Sequence, residues 1–393
     1  MNQKQLKYRK RKVFLALVLC LLLGFAFRKL YLTSQVWSSD LEVFWRAATA
    51  FWNGRDPYLP LGEEKGFVFK YHPTLLVFFL PLTLMTLSVC KAVWLGVEVL
   101  SIAYCFKWLK RSGISIPTLV LVTGLFWFLW FEHIKYGQIM APLLAFTLYA
   151  GTPTKQRAAW KVSFMIYLLS SKVFTLFALL GNLRKLLTRE ILLGLVAVTF
   201  GLHLVVSIIF AKNGIHLGTG FHTLYQSWID NAFHNARDLG LGNVRGAVNH
   251  GFTALVLRNL DPQGVHPEWD APVAIALLTV LGALWWRVSR QFRFERKWSG
   301  WLALSAVCHP LAWSHSFVFV YPMACYSVHC AFHSFPRERY AKRAVLTLIS
   351  LLGIAMMGLW VPQTVGLDRA ITLELLGLKA WGAFLCAVAL ALA

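Results

Sequence analysis

Charged side chains are scarce in this sequence, and acidic ones most of all. Only 14% of the 393 residues are charged, with 17 acids against 39 Lys and Arg, while 58% are hydrophobic. The mean hydropathy is +0.57. This composition excludes an ordinary soluble globular protein, and apolar runs long enough to cross a bilayer recur along the chain. The alternating strands of roughly ten residues that an outer-membrane barrel needs are missing. We therefore predict an all-α, polytopic integral membrane protein.

The sequence also lacks a cysteine or histidine framework. Its seven cysteines form no CxxC pair and fall in or beside apolar segments, which indicates packing residues. Five histidines of one polar stretch suggest a metal site, but their spacings match no zinc pattern and the nearby acids form no tight cluster. These residues are His216, His222, His234, His250 and His266, with Asp230, Asp238 and Asp261. We predict no metal and no cofactor.

The formal net charge of +22 would suggest nucleic acid as a partner if the protein were soluble. Here many of the basic residues cluster beside apolar runs, at 4–12, 184–189, 287–297 and 337–343. Cytoplasmic loops show this pattern under the positive-inside rule, and it also suits contact with anionic lipid head groups. The sequence therefore predicts membrane lipids as partners and no nucleic acid.

Apolar runs divide the chain into 10 to 12 predicted transmembrane helices within a single domain, 1–393. The first run, 13–32, is too long for a signal-peptide core and lacks a small-residue cleavage site, so we expect it to stay uncleaved with its N-terminus in the cytoplasm. Further spans are predicted at about 73–90, 92–108, 117–148 (interrupted), 162–181, 191–211, 272–286, 298–308, 311–330, 344–360 and 371–392. Basic turns near Lys110 and Lys155 breach the positive-inside rule, which allows half-spans between 92 and 181. Two outer loops are predicted at 33–72 and 212–270.

The first outer loop contains a predicted helix over residues 40–52. Ser39 and Glu42 fit an S-x-x-E capping box with Ser39 as the N-cap, and Gly54 is a natural stop. An apolar stripe at helical spacing indicates a helix that lies in the membrane interface. The stripe consists of Leu41, Phe44, Trp45, Ala48, Phe51 and Trp52. Asp40 lies at its edge, facing protein or the membrane margin, where the helix dipole helps to keep it ionised.

Two polar features interrupt later apolar runs. One is the island at 131–138, which ends in Gly137 and Gln138, and the other is Lys172 in the middle of 162–181. Polar or broken helix at membrane depth is tolerated only where protein or a water-filled cavity surrounds it, so we expect both near Asp40. Plainer interpretations stay open: Asp40 can simply cap its helix, Lys172 can snorkel to the interface, and the Gly-Gln pair can pack helices.

Several short motifs follow one another in a recognisable order. They are D-x3-F-W-R-A-A-x-A-F-W-N-G-R-D-P-Y from Asp40, F-K-Y-H-P-T-L-L from Phe69, Tyr136-Gly137-Gln138, Lys172, Asn249-His250-Gly251-Phe252 with Arg258, and His309-Pro310-Leu311-Ala312-Trp313-Ser314-His315. Their order and spacing resemble glycosyltransferase family 87, which contains polyprenyl-phosphate-mannose-dependent mannosyltransferases of the GT-C superfamily. The chain departs from the family pattern at Val173, where Pro is common, at His309, which replaces Ser, and in the degenerate Asn-Gln-Ser element.

The resemblance implies an enzyme of the cell membrane, of the bacterial plasma-membrane type, that works on the outer side. It would transfer a hexose, with mannose expected, from a polyprenyl-phosphate donor to a hydroxyl of a lipid or glycan acceptor, with inversion. Asp40 would be the general base. The substrate-binding candidates are Tyr71, His72, Gln138, Lys172, Asn249, Arg258, Trp313 and His315. Positive charge for the phosphate leaving group would come from Lys172, His315, Arg258 or Arg245. His315 can equally be a satisfied core histidine.

A membrane transporter or lipid flippase is the alternative from a different functional class. Asp40, Glu132 and Lys172 would then be coupling or gating charges. Transporters of this kind often contain inverted repeats with paired broken helices, and the sequence shows no such symmetry. A purely structural membrane protein fits poorly with ionisable residues inside apolar segments. Convergence of Asp40, Lys172 and His315 on one cavity would favour the enzyme.

Overall fold

The computed structural model describes residues 39–59, 69–151, 159–170, 188–230, 249–309, 311–333, 340–360 and 365–393, together with 28, 31–33, 35–36 and 245. The predicted first span, 13–32, lies almost entirely outside these residues. Lys172 also lies outside them. Every regular element of the described residues is helical, as expected for an all-α protein.

Sixteen α-helices occur in the described residues. They are α1 (Ser39–Trp52), α2 (Leu76–Phe79), α3 (Leu87–Arg111), α4 (Ile116–Leu125), α5 (Trp127–Tyr136), α6 (Met140–Gly151), α7 (Ala159–Ser170), α8 (Arg189–Lys212), α9 (Leu217–Ile229), α10 (Phe252–Leu260), α11 (Asp270–Val288), α12 (Phe294–Val307), α13 (Tyr321–His333), α14 (Tyr340–Gly358), α15 (Leu367–Leu375) and α16 (Leu378–Leu392). Short 3₁₀ segments at Pro73–Leu75, Leu80–Leu84, Pro267–Trp269, Ser289–Gln291 and Ser314–Val320 join or extend them.

The described residues contain four helices that are long and apolar enough to cross a bilayer: Leu87–Arg111, Arg189–Lys212, Pro267–Gln291 and Tyr340–Gly358. Two bent pairs, α4 with α5 at 64° and α15 with α16 at 57°, raise the number of candidate spans to six. The predicted 10 to 12 transmembrane helices are therefore not confirmed, whereas a membrane protein of several apolar helices is.

Three predicted spans take a different form. The run at 73–90 is a short 3₁₀ and α segment, Pro73–Leu84, followed by the start of α3. Pro73 and Pro81 lack the backbone N–H that a continuous helix needs, and twelve residues are too few to cross a bilayer. The run at 311–330 divides into a 3₁₀ segment and α13, and the run at 371–392 divides at Gly377, which adopts a left-handed conformation with φ 70°.

Three smaller expectations concern described residues. The interruption of 117–148 is confirmed, because α5 ends at Gly137 with φ 65° and α6 begins three residues later. The outer loop predicted at 212–270 includes two helices, α9 and α10, rather than one short helix. The six cysteines of the described residues are buried and free, as predicted for packing residues.

Helix α1 begins at Ser39, one residue before the predicted start, and packs on the protein with its apolar stripe. Phe44 stacks on Phe79 with ring centroids 4.8 Å apart and lies edge-on to Phe69 and Tyr71. Trp52, expected in the stripe, is instead exposed beneath Lys212, whose Nζ lies 3.6 Å from the ring centroid. This packing fixes the first turn of α1, which carries Asp40, against the segment 69–71.

Candidate active site

Asp40 and Gln138, 98 residues apart in sequence, meet at the start of α1. The Gln138 side-chain amide donates a hydrogen bond to Oδ2 of Asp40, and Gln138 is buried. The turn at Gly137 precedes Gln138 directly, and its left-handed backbone ends α5 before α6 begins. Asp40 therefore faces protein, as predicted from its place at the edge of the stripe.

The buried side chain of His133 holds this turn in place. Nε2 of His133 accepts a hydrogen bond of 2.7 Å from the backbone N–H of Ala141 in the first turn of α6. Because Nε2 accepts, the neutral ring carries its proton on Nδ1, which lies 3.2 Å from the Glu98 carboxylate of α3. Both side chains are almost fully buried. The turn that carries Gln138 is thus tied to two helices.

Lys70 and Tyr71 occupy the chain segment next to Asp40. Burial lowers the pKa of Lys70 to about 8, and the nearby Asp40 carboxylate opposes that decrease. Burial, with the charge of Asp40 as a second cause, raises the pKa of the Tyr71 hydroxyl. The backbone carbonyl of Tyr71 accepts a hydrogen bond of 2.8 Å from the Tyr58 hydroxyl. A cation and an aromatic ring thus flank the carboxylate.

Trp313 and His315 form an aromatic wall beside Lys70. Nζ of Lys70 lies 5.5 Å from the Trp313 ring centroid, within the range of a cation–π contact. The His315 ring stands edge-on to Trp313 with centroids 5.6 Å apart. The structure therefore brings five of the predicted site residues into one region, in which Lys70 links the Asp40 side to the Trp313 side. These are Asp40, Tyr71, Gln138, Trp313 and His315.

Asn249 and Arg258 support this wall through protein contacts. Asn249 pairs with Trp313 in an isolated antiparallel bridge, and its Oδ1 accepts the backbone N–H of Ala312 at 2.9 Å. Arg258 donates to the backbone carbonyl of Asn249 at 3.0 Å and to that of Glu374 at 3.4 Å. Asn249 and Arg258 were both predicted to bind substrate. In this structure their described contacts hold the aromatic wall in place.

His72 belongs to a neighbouring aromatic cluster. Its Nδ1 lies 2.7 Å from the Thr74 hydroxyl, and its ring lies edge-on to Tyr225 and Trp228 of α9. Burial, followed by the nearby His203, lowers its pKa to about 4, so the ring is neutral at physiological pH. The structure thus places His72 beside the site, with its described contacts towards α9.

Arg245, one of the predicted sources of positive charge, is engaged elsewhere. Its guanidinium lies 2.7 Å from the Asp261 carboxylate and 2.9 Å from that of Asp270. Two acids neutralise its charge, so it is unsuited to a phosphate. Within the part of the chain that the structure describes, no group of three His, Cys, Asp or Glu side chains could hold a metal ion.

Sequence reasoning missed several ionisable residues of this region. Lys70 stands inside the quoted Phe-Lys-Tyr-His-Pro motif, which was a usable signal. His250, considered only as a loop histidine, is buried and contacts Ser314 and Lys379. Lys379 is a single basic residue in an apolar run, the same signal that identified Lys172. Glu132, predicted only as a gating charge, lies beside Ser314.

The arrangement combines a carboxylate held by an amide, a nearby cation and a wall of aromatic side chains. Such a set can take a proton from a hydroxyl, neutralise an anionic group and stack on a sugar ring. Asp40 and His315 belong to one run of contacts through Lys70 and Trp313. Lys172, the third residue of the expected convergence, lies outside the described residues.

Comparison with known proteins gives one match. The sequence profile described as Glycosyltransferase family 87 matches residues 69–313, well over half of the chain. No curated protein and no solved structure matches. The matched range contains Lys70, Gln138 and Trp313, and it ends before Lys379.

Proposed function

The chain belongs to glycosyltransferase family 87 and is a membrane glycosyltransferase, and from this premise we propose that it transfers a hexose, mannose in the first instance, from a polyprenyl-phosphate donor. The acceptor is a hydroxyl of a lipid or glycan on the outer side of the membrane, and the anomeric configuration inverts. The observation that carries this proposal is the contact between Asp40 and Gln138 beside Lys70.

Asp40 is the proposed general base. The acceptor oxygen attacks the anomeric carbon, the bond from that carbon to the phosphate oxygen breaks, and its electron pair leaves with the polyprenyl phosphate. The hydroxyl proton passes to the Asp40 carboxylate. Gln138 orients the carboxylate, because its amide donates a hydrogen bond to Oδ2 of Asp40. A phosphate leaves without help from a second acid, so one carboxylate is sufficient.

Lys70 is the proposed cation for the phosphate. Negative charge grows on the leaving group in the transition state, and a cation already in place stabilises it without reorganisation. Trp313 and Tyr71 offer faces on which a pyranose ring can stack, while His315 stands edge-on to Trp313. Lys172, the cation predicted from the sequence, stays a candidate outside the described residues.

Replacement of the base provides the test of this function. The purified protein in lipid nanodiscs is supplied with radiolabelled polyprenyl-phosphate mannose and a crude lipid-glycan acceptor fraction. Asp40→Asn is expected to lower the transfer rate by roughly 10²- to 10⁴-fold, because the amide cannot accept the proton. The donor KM should change little, since the shape of the side chain is kept.

Glu42→Gln is the matched control, because Glu42 lies on the same helix two residues away and pairs with Arg46. This variant should transfer sugar at the wild-type rate. Transfer by Asp40→Asn at the wild-type rate would contradict the assignment of the base. A wild-type protein that transfers no mannose from this donor, but does so from another lipid-linked hexose, would correct the sugar alone.

A further inference from the structure

A buried lysine of the last helix reaches the wall of the active site. Lys379, in the first turn of α16, is 2% exposed, and its Nζ lies 3.3 Å from Nε2 of His250 and 3.1 Å from Oε1 of Glu374. A buried lysine in an apolar helix is costly unless it has partners. Residues 250 and 379 are distant in sequence, so this contact joins the C-terminal helix pair to the site.

His250 in turn contacts the segment that carries Trp313 and His315. Its Nε2 lies 2.9 Å from the Ser314 hydroxyl, and its backbone N–H donates to the Ala312 carbonyl at 2.9 Å. The Glu132 carboxylate of α5 lies beside Ser314. A continuous set of polar contacts therefore runs from Lys379 through His250 to Ser314, between the two residues of the aromatic wall.

Lys379 determines the protonation state of this histidine. An ammonium group has only donors, so Nε2 of His250 can accept a hydrogen bond from Lys379 only while that nitrogen carries no proton. A doubly protonated ring would direct an N–H towards the ammonium group. Nδ1 of His250 is buried and has no hydrogen-bond partner among the described residues, so the side-chain hydrogen bonds of the ring are made through Nε2.

Other charged groups lie around His250, so its neutral form depends on the Lys379 cation. Glu374 of α15 lies 3.9 Å from Nε2, and Glu132 lies behind Ser314. Burial lowers the pKa of His250 well below its ordinary value, and the charges of Lys379, Arg258 of α10 and His315 lower it further. Loss of Lys379 removes the cation beside Nε2 and leaves Glu374 at 3.9 Å, a change that favours protonation of His250.

We propose that Lys379, outside the range matched by the family profile, is a positioning residue for the transfer: it keeps His250 neutral and so holds Ser314, and with it Trp313 and His315, in place. This inference rests on the proposed function, because its readout is sugar transfer. Lys379 does not touch the substrates. Its effect should therefore appear in the pH dependence of the reaction and in kcat more than in the donor KM.

The test compares pH profiles of Lys379→Met, Lys379→Arg and the double variant Lys379→Met with Glu374→Gln. In Lys379→Met the pKa of His250 returns towards its ordinary value of about 6.5. Transfer should then fall as the pH decreases from 7.5 to 5.5, by roughly tenfold relative to the wild type, which shows no such decrease. Lys379→Arg keeps the cation, and the double variant restores the charge balance, so both should follow the wild-type profile.

Arg369→Met is the matched control, because Arg369 is an exposed cation of the same helix pair. A wild-type pH profile in Lys379→Met would overturn the inference. A double variant whose transfer falls at low pH as it does in Lys379→Met would overturn it as well. If Lys379→Met does not fold, a fall in transfer at low pH in the double variant or in Lys379→Arg overturns the inference equally. Absence of transfer in the wild type would instead contradict the proposed function, which separates the two failures.

Discussion

The charge state of Lys70 results from two opposing effects. Burial disfavours the ammonium form, and the Asp40 carboxylate favours it. Burial is the larger effect, so the pKa settles at about 8 rather than at the usual value of 10.5. Lys70 is thus still mostly charged at pH 7 but loses its proton far earlier than an exposed lysine. An anionic donor would raise this pKa, because a second negative charge favours the cation.

This pKa predicts an alkaline decrease in catalytic efficiency. Because kcat/KM reports the free enzyme, transfer measured at low donor concentration should decrease as the pH rises through about 8. Lys70→Arg keeps its charge far above that pH, so its profile should stay level there. Lys70→Met should lose roughly 10²- to 10³-fold at every pH if the cation stabilises the leaving phosphate.

Lys212→Met is the control for that series, since Lys212 also lies over a tryptophan, Trp52, but at the far end of α1. Its pH profile should equal that of the wild type. A Lys70→Met variant that still shows the decrease near pH 8 would assign it to another group.

At the scale of elements, the break between α5 and α6 places Gln138 in contact with Asp40. Gly137 adopts φ 65°, and His133 ties the first turn of α6 to α3 through Glu98. A side chain at φ above zero costs roughly 1 kcal/mol, since the Cβ approaches the backbone. The turn is therefore a point at which a small change in the backbone reaches the catalytic carboxylate.

Gly137→Ala should lower stability by about 1 kcal/mol and also reduce transfer, because relaxation of the turn moves Gln138. Gly214→Ala has almost the same backbone strain, at φ 68° with open space around the new Cβ, but lies in the turn after α8. Gly214→Ala should lose stability but keep the wild-type transfer rate. The measurement is thermal unfolding in detergent together with the transfer rate, and equal transfer by the two variants would show that the turn does not position Gln138.

Sequence patterns predicted the elements whose determinants are local. The stripe of α1, the stop at Gly54, the interruption of 117–148 and the apolar stretches of α8, α11 and α14 follow from spacing and composition within one segment. The run at 73–90 was predicted wrongly as a span because hydropathy outweighed the two prolines. Gln138 and Trp313 were identified through the resemblance, but the role of Asn249 and Arg258 in holding the wall depends on contacts between distant segments.

The residues that sequence reasoning missed share one property. Lys70, His250 and Lys379 owe their environment to chain segments far away in sequence, so no window of neighbouring residues distinguishes them from a snorkelling lysine or a loop histidine. A single lysine in an apolar helix is a signal of function only when its partner is known.

At the scale of the whole molecule, a close helix crossing sets the position of the C-terminal pair. Helices α14 and α16 pack along each other, and they approach closely at Gly353 and Gly382. A Cβ built at Gly382 would lie 2.4 Å from the Gly353 carbonyl oxygen and 2.9 Å from Met357. Small residues permit such crossings in membrane proteins. Gly382 lies one turn beyond Lys379, so this crossing fixes the depth at which Lys379 meets His250.

Gly382→Ala should force the two helices apart, because the clash is with backbone that cannot rotate away. Overpacking of this kind costs typically 1–3 kcal/mol, so the melting temperature in detergent should fall by several degrees. Gly201→Ala in α8 is the control, since a Cβ there meets nothing within 4 Å, and it should melt at or above the wild-type temperature. Displacement of α16 also withdraws Lys379 from His250, so Gly382→Ala should show the acid decrease in transfer expected of Lys379→Met. A variant that melts early but keeps the wild-type pH profile would separate helix packing from the position of Lys379.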